Sequence, residues 1–226
     1  MAAAPNFEWV RQLGSSGDDR ATDLATDSAG NIYVTGYTLG DLDGNTNSGY
    51  TTNDLFLTKY SNSGTKQWTK QLGSSANDHA NGIAIDQSDN IFVTGYTEGS
   101  LPGNTLVAHR DLFIIKFDTN GNDLWIKQHG TDSTVSAAAS AIDTDSDGNV
   151  YITGYTQGGS GLHGNTSSGG NDIFVAKYDD SGTWQWTEQI GTADGEIAFD
   201  ITIDSSSNVY VTGYTQGGLH GVNAGS

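Results

Sequence analysis

The residues best suited to metal chemistry are three carboxylates at alternate positions, Asp143, Asp145 and Asp147, followed by Gly148. Alternate carboxylates ahead of a glycine can wrap oxygen ligands around Ca²⁺. A complete calcium loop of this kind also ends in a Glu, and Gly154 stands at that place here. The competing interpretation is a hairpin turn in which Asp and Asn bond the backbone. Calcium is therefore the one cofactor that the sequence offers, and a turn without any metal is the alternative.

A second set of acidic residues recurs along the chain at Asp19, Asp78 and Glu196, with Ala137 in the corresponding place of another unit. Each of the three comes just before a short apolar run. If these runs are innermost strands, the carboxylates face one another across a central funnel and form a cation or ligand site. The alternative is that they are ordinary solvated loop charges.

The histidines show no metal-binding pattern, because no pair has the spacing of a helix or a hairpin site. His163 and His220 share a Leu-His-Gly loop motif, and we interpret them as loop residues. There is no Ser-His-Asp or Cys-His arrangement, phosphate loop or zinc signature, so we expect no enzyme activity.

An internal repeat must position all these residues. The octapeptide NIYVTGYT and its variants begin at residues 31, 90, 149 and 208, at a constant interval of 59 residues. We expect the glycine of this octapeptide to mark a close backbone approach or a kink at a strand end. It stands at Gly36, Gly95, Gly154 and Gly213. A tryptophan precedes each octapeptide. It is expected to pack between units, and the alternative is that it offers a stacking platform for sugars. These tryptophans are Trp9, Trp68, Trp125 and Trp186.

Each unit contains four strand-like runs separated by turn residues, and no stretch has helical periodicity. Several runs, such as 54–60, carry apolar side chains on both faces. Strands covered on both faces, in four-stranded units of this length, are typical of the blades of a β-propeller. The sequence therefore predicts an all-β propeller of about four blades, with residues 1–6 as an N-terminal remnant and 7–226 as one domain. The repeats run over about 7–60, 61–117, 118–178 and 179–226.

The pattern D-x-x-G-N-[IV]-[YF]-[VI]-T-G-Y-T, with a Trp strand before it and a D-[LI]-F strand after it, resembles the bacterial β-propeller repeat family SBBP. It is more distantly similar to the NHL repeats. The matching stretches are Asp27–Thr38, Asp86–Thr97, Asp145–Thr156 and Asp204–Thr215. The resemblance implies a structural or binding scaffold and brings no catalytic residues with it.

The strand count predicts an incomplete last blade. By analogy with NHL repeats, the chain opens with an outer strand over 8–13, but no D-[LI]-F strand follows the fourth octapeptide. The chain is then a piece of a longer array, or another chain supplies the strand, or two copies form a ring of about eight blades. We favour a piece of a longer array that self-associates, because an unpaired strand edge invites a partner.

The composition limits the partners. The net charge of −18 disfavours nucleic acid, and no apolar run is long enough for a membrane helix. The chain has no cysteine, and its N-terminus, Met-Ala-Ala-Ala-Pro, fits either a mature secreted chain or a cytosolic start. We expect a non-enzymatic, secreted or cell-surface bacterial module for binding or assembly, with itself, a protein or a glycan as partner. The alternative is a lectin-like module that binds carbohydrate or Ca²⁺ with its long loops.

Overall fold

The chain folds into antiparallel β-sheets. The computed structural model describes residues 8–131, 135–158 and 161–219, which contain fourteen strands. Blade 1 consists of β1 (Asp19–Thr26), β2 (Ile32–Thr38), β3 (Asp54–Tyr60) and β4 (Lys66–Leu72). Blade 2 consists of β5 (Asp78–Ile85), β6 (Ile91–Thr97), β7 (Asp111–Phe117) and β8 (Asp123–His129). Blade 3 consists of β9 (Ala137–Thr144), β10 (Val150–Thr156), β11 (Asp172–Tyr178) and β12 (Trp184–Ile190). Blade 4 has β13 (Glu196–Ile203) and β14 (Val209–Thr215).

Neighbouring strands of each blade are also neighbours in the chain, so every blade is an antiparallel meander. None of the described residues belongs to a helix that could span a membrane. This architecture is the predicted β-propeller type, with a last blade that lacks its third strand among the described residues.

The glycine of the octapeptide lies where the backbone of its own blade comes closest. A Cβ added to Gly95 would stand 1.9 Å from the carbonyl oxygen of His79 in the adjacent strand. The partner strand has a register shift between Ala80 and Gly82, directly after this contact. The same approach occurs in all four units, at 1.9 to 2.1 Å. Only a residue without a side chain fits such a contact.

The core lies between blades rather than within them. Leu55 and Leu57 of blade 1 pack with Ile83, Val93 and further residues of blade 2. A second cluster joins blades 2 and 3, and a third joins blades 3 and 4. Blades 2 and 3 bury apolar side chains on both faces, which explains why their strands do not alternate apolar with polar residues.

The repeated tryptophan belongs to these contacts between blades. The ring of Trp68 packs edge-on against Tyr33 of its own blade, with centroids 5.9 Å apart. Its far edge covers the turn at Gly121 of blade 2, where an added Cβ would approach it to 3.1 Å. Trp125 covers the turn at Gly182 of blade 3 in the same way. The tryptophan is thus a spacer between consecutive blades.

The expected strand over residues 8–13 is wrong, since this segment forms no strand in the structure. An outer strand pairs with the third strand of its own blade, and no such strand adjoins this segment among the described residues. Trp9 nevertheless covers the turn at Gly64 of blade 1, as its counterparts do one blade further on. Its indole N–H donates to the carbonyl of Asn62 at 3.1 Å. The segment therefore lies at the place of an outer strand that would precede blade 1.

Candidate functional site

The carboxylate of Asp145 caps the turn between β9 and β10. It accepts hydrogen bonds from the backbone N–H of Asp147 at 3.0 Å and of Asn149 at 2.9 Å. It also accepts from the hydroxyl of Tyr151 at 3.0 Å and lies 3.5 Å from Nζ of Lys177. Burial alone would raise the pKa of Asp145, but the hydrogen bonds from Asn149 and Tyr151 outweigh it and hold the pKa below its ordinary value. The turns of the other three blades have the same cap, formed by Asp27, Asp86 and Asp204.

The other two carboxylates of the predicted calcium loop have different surroundings. Asp143 accepts from the backbone N–H of Thr144 and, across the interface to blade 4, from the N–H of Ile203, both at 2.8 Å. Asp147 lines a small cleft between the turns of blades 2 and 3, together with Asp86. No three His, Asp or Glu side chains converge on one point in the described part of the chain. Calcium binding at this loop stays a prediction.

In blades 1, 2 and 4, the carboxylate of the second acidic set links the start of the blade to the end of the octapeptide, whereas blade 3 has Ala137 at this place. Asp19 accepts from the backbone N–H of Ser15 at 2.6 Å and from the hydroxyl of Thr38 at 2.5 Å. Glu196 accepts from the N–H of Thr192 at 2.7 Å and from the hydroxyl of Thr215 at 2.8 Å. Each of these carboxylates is therefore engaged within its own blade, and a site shared across a funnel stays a prediction.

Asp78 is the most enclosed member of that set. It accepts from the backbone N–H of Ser74 at 2.6 Å and is fully buried. Burial raises its pKa to about 6, since the hydrogen bonds from Ser74 and Thr97 compensate only in part for lost hydration. Asp54, on the neighbouring strand end of blade 1, adds a like charge that raises the pKa further.

Among the described residues, no other blade covers one face of blade 1, which we call the open face of blade 1. Leu24 on this face is 61% exposed, whereas its equivalents Ile83, Ile142 and Ile201 are 5%, 7% and 5% exposed. The face forms a groove with a cavity of about 380 Å³. Its apolar lining includes Trp9, Leu13, Leu24, Ile32, Val34, Leu42, Phe56 and Tyr60.

In the part of the chain that the structure describes, the opposite face of blade 4 is uncovered, and we call it the open face of blade 4. It consists of Phe199, Tyr210 and Tyr214, which are all exposed. Tyr210 is 53% exposed, whereas its equivalents Tyr33 and Phe92 are fully buried against the following blade. The free edge of β14 borders the same region, since β13 is its one partner in the described residues.

A cluster that the sequence did not predict lies between blades 2 and 3. The rings of His129 and His163 are in contact, with centroids 4.9 Å apart. Tyr178 packs against both, at 5.6 Å and 6.3 Å. Burial lowers the pKa of His163 to about 4, and the neighbouring His129 contributes to the shift. His163 lies in a loop, as expected. The loop folds back over its blade, where the N–H of Leu162 donates to Gln189 at 3.1 Å, and this brings the imidazole into the cluster.

Two curated proteins match the sequence of this chain. The chain is 26% identical over 190 residues to the "Uncharacterized WD repeat-containing protein L264" of Acanthamoeba polyphaga mimivirus, with 66% of the chain and 13% of that protein covered. It is 24% identical over 244 residues to the "Regulatory protein FlaEY" of Caulobacter vibrioides, with 96% of the chain and 25% of that protein covered. The chain thus spans a quarter or less of these two relatives.

Solved structures show a weaker likeness. A protein of unknown function from Bacteroides caccae gives a TM-score of 0.44 at 12% identity, over 84% of this chain and 52% of that one. A gluconolactonase from Xanthomonas campestris, XC5397, gives 0.45 at 14% identity, over 85% and 54% of the two chains.

The sequence profile of the SBBP family, described as a beta-propeller repeat, matches four segments of the chain. They are residues 8–43, 67–102, 124–161 and 185–220. These matches cover more than half of the sequence and keep the phase of the four blades. The chain belongs to the SBBP beta-propeller repeat family.

Proposed function

We propose that the chain is a non-enzymatic, extracellular interaction module that assembles head to tail with a second copy of itself. In this assembly the open face of blade 4 of one copy packs into the groove on the open face of blade 1 of the next. The extracellular location belongs to the proposal and is supported by the acidic composition.

The observation that carries the proposal is that the two open faces are the two halves of one repeated interface. Within the chain, Tyr33 of blade 1 packs against Ile83 of blade 2, and Phe92 packs in the same cluster as Ile142 of blade 3. Among the described residues, no blade covers Tyr210 on the open face of blade 4, and no blade covers Leu24 on the open face of blade 1. Docking one face on the other reproduces a contact that this sequence already makes between its own blades.

The N-terminal segment supports the same arrangement. Trp9 stands over the turn at Gly64, the place held by the outer strand of a preceding blade. A second copy that docks there places its β13 and β14 on the inner side of this segment, toward the centre of the array. The result is a composite blade with its two inner strands from one copy and its outer segment from the other.

The composite blade leaves room for one strand between β14 and the N-terminal segment. In blades 1 to 3 this place holds β3, β7 and β11, which begin with Asp and carry apolar residues on both faces. An extended segment of a protein partner that pairs with the edge of β14 would complete the sheet. A synthetic peptide with the sequence of β11, Asp172–Tyr178, is the natural probe, and a peptide with the same residues in scrambled order is its control.

Oligomeric mass in solution tests the assembly. We expect light scattering coupled to size-exclusion chromatography to show a mass above that of one chain, increasingly so as salt screens the repulsion between chains of net charge −18. A single-chain mass at every salt and protein concentration would rule out the head-to-tail contact. If such a monomer bound the β11 peptide, the proposed role as an interaction module would stand and only the proposed self-assembly would be refuted.

A further inference from the structure

Three polar atoms of the cluster between blades 2 and 3 have no hydrogen-bond partner although they are buried. They are Nε2 of His129, Nε2 of His163 and the hydroxyl of Tyr178. Each exposes less than 1 Å² of surface, and Tyr178 as a whole is fully buried. A buried polar group without a partner is destabilising, so three of them within one group of touching rings need a common explanation.

We infer that His129, His163 and Tyr178 bind one divalent transition-metal ion of the zinc and copper type, which links blade 2 to blade 3. Imidazole nitrogen is the preferred donor for these metals, and a phenolate oxygen completes a three-residue set with one position left for water. This site lies away from both open faces and does not depend on the proposed assembly.

The ring distances agree with a shared ion. Two imidazoles that bind one tetrahedral metal at about 2.1 Å have centroids about 5 Å apart. The rings of His129 and His163 are 4.9 Å apart and nearly perpendicular, at 69°. The ring of Tyr178 lies at 5.6 Å and 6.3 Å from the two imidazoles, which suits a phenol oxygen bound to the same ion.

A hydrogen bond on the opposite side of the ring orients His163 for this role. Its Nδ1 lies 2.7 Å from the hydroxyl oxygen of Thr187, which also accepts from the indole N–H of Trp184 at 2.9 Å. In the tautomer that donates Nδ1–H to Thr187, Nε2 carries the lone pair that a metal requires.

The preceding interface provides an internal comparison. The places of His129, His163 and Tyr178 are taken there by Leu72, Pro102 and Phe117. All three of those residues are apolar, and the interface between blades 1 and 2 buries Phe117 in its core. The three equivalent positions are thus apolar at one interface and carry possible metal ligands at the next. Packing alone therefore does not require His129, His163 and Tyr178.

Metal binding to the intact chain tests the site. Zn²⁺ is measured by equilibrium dialysis against a weak chelator, for the natural protein and for His129→Leu and Tyr178→Phe. Each substitution introduces the residue found at the equivalent position of the preceding interface, Leu72 or Phe117. His109→Ala, which removes an exposed histidine outside the cluster, is the matched control. We expect one tightly bound ion, roughly 100-fold weaker binding in the two cluster variants, and unchanged binding in His109→Ala.

A second readout needs no destabilised variant. Cu²⁺ added to the natural protein should give the visible charge-transfer absorption of a copper–phenolate bond, and Tyr178→Phe should lack it. Absence of any stoichiometric Zn²⁺ or Cu²⁺ binding, or binding that both cluster variants retain in full, would overturn the site. The first of these results would assign the three atoms to a bridging water instead.

Discussion

Leu24 and Ile83 occupy the same position of consecutive blades, yet Leu24 is 61% exposed and Ile83 is 5% exposed. The difference arises because blade 1 covers Ile83, while no blade covers Leu24 among the described residues. Tyr210, at the other end of the array, is exposed because no described blade follows it, whereas the following blade buries its counterpart Tyr33. The assembly proposed above joins these two uncovered positions.

Tyr210 should therefore matter for association but little for folding. We expect Tyr210→Ala to abolish the oligomer seen by light scattering and to change the free energy of unfolding of the single chain by about 1 kcal/mol or less. The matched variant Tyr151→Ala removes the buried equivalent and should cost about 3 to 5 kcal/mol in urea unfolding. An oligomer that survives Tyr210→Ala would show that the chains associate through another surface.

Asp200 should oppose the same contact. The position is close to its equivalent in the next blade, since a Cβ on Gly82 would stand 3.1 Å from Cα of Ala141. Head-to-tail docking would place Asp200 of one copy beside Asp23 of the next, and two carboxylates about 4 Å apart repel by roughly 1 to 4 kcal/mol. We expect Asp200→Gly to bind its partner copy about tenfold more tightly.

Sedimentation equilibrium of the two proteins at low and high salt measures this effect. The gain from Asp200→Gly should shrink as salt rises, because screening already weakens the repulsion in the natural chain. Asp194→Gly removes an exposed charge from the loop before β13 and is the control for a change in net charge. If both variants gained equally, the effect would belong to net charge and not to this position.

The glycine of the octapeptide should tolerate no side chain. Gly95→Ala places a methyl group 1.9 Å from the carbonyl oxygen of His79, so the strand pair must separate. We expect a loss of about 3 kcal/mol in the free energy of unfolding by urea. Gly103→Ala is the control, because nothing lies within 4 Å of its Cβ position and only its φ of 74° opposes the change. That variant should lose about 1 kcal/mol.

The sequence predicted the blades well because their causes are local and repeated. The octapeptide, its glycine and the tryptophan recur at a fixed interval, and each acts through neighbours in the same blade or the next one. The contact between His129 and His163 has no such signal. It arises because the loop at Leu162 folds back over β12, which brings residues of two blades together. The segment 8–13 shows the opposite limit: its sequence has a strand pattern, but the described residues contain no strand for it to pair with.

Asp145 should stabilise its turn without a metal. Asp145→Ala leaves Asn149, Tyr151 and Lys177 without their carboxylate partner, and we expect a loss of about 2 to 4 kcal/mol. Asp204→Ala breaks the same cap at an exposed site and should lose less. The melting temperature of the natural chain should be equal in Ca²⁺ and in a chelator. A rise with Ca²⁺ that Asp145→Ala lacks would instead establish the calcium loop.

Asp78 should make the fold less stable as the pH rises. Its pKa is raised to about 6 in the folded chain, above the ordinary value of 3.8. Between these two values the folded state binds more protons than the unfolded state, so the free energy of unfolding falls with increasing pH. The contribution amounts to about 3 kcal/mol between pH 4 and pH 7. Asp78→Asn should remove it, because an amide keeps the shape without the charge.

Urea unfolding of both proteins across this range measures the effect as a difference. Asp78→Asn should gain stability relative to the natural chain as the pH rises, with most of the change below pH 6. Asp204→Asn provides a control of opposite sign, because hydrogen bonds from Asn208 lower the pKa of Asp204 to about 2. Its carboxylate stabilises the fold above the ordinary pKa, and this contribution is lost as the pH falls. A constant difference between Asp78→Asn and the natural chain would mean that Asp78 titrates normally despite its burial.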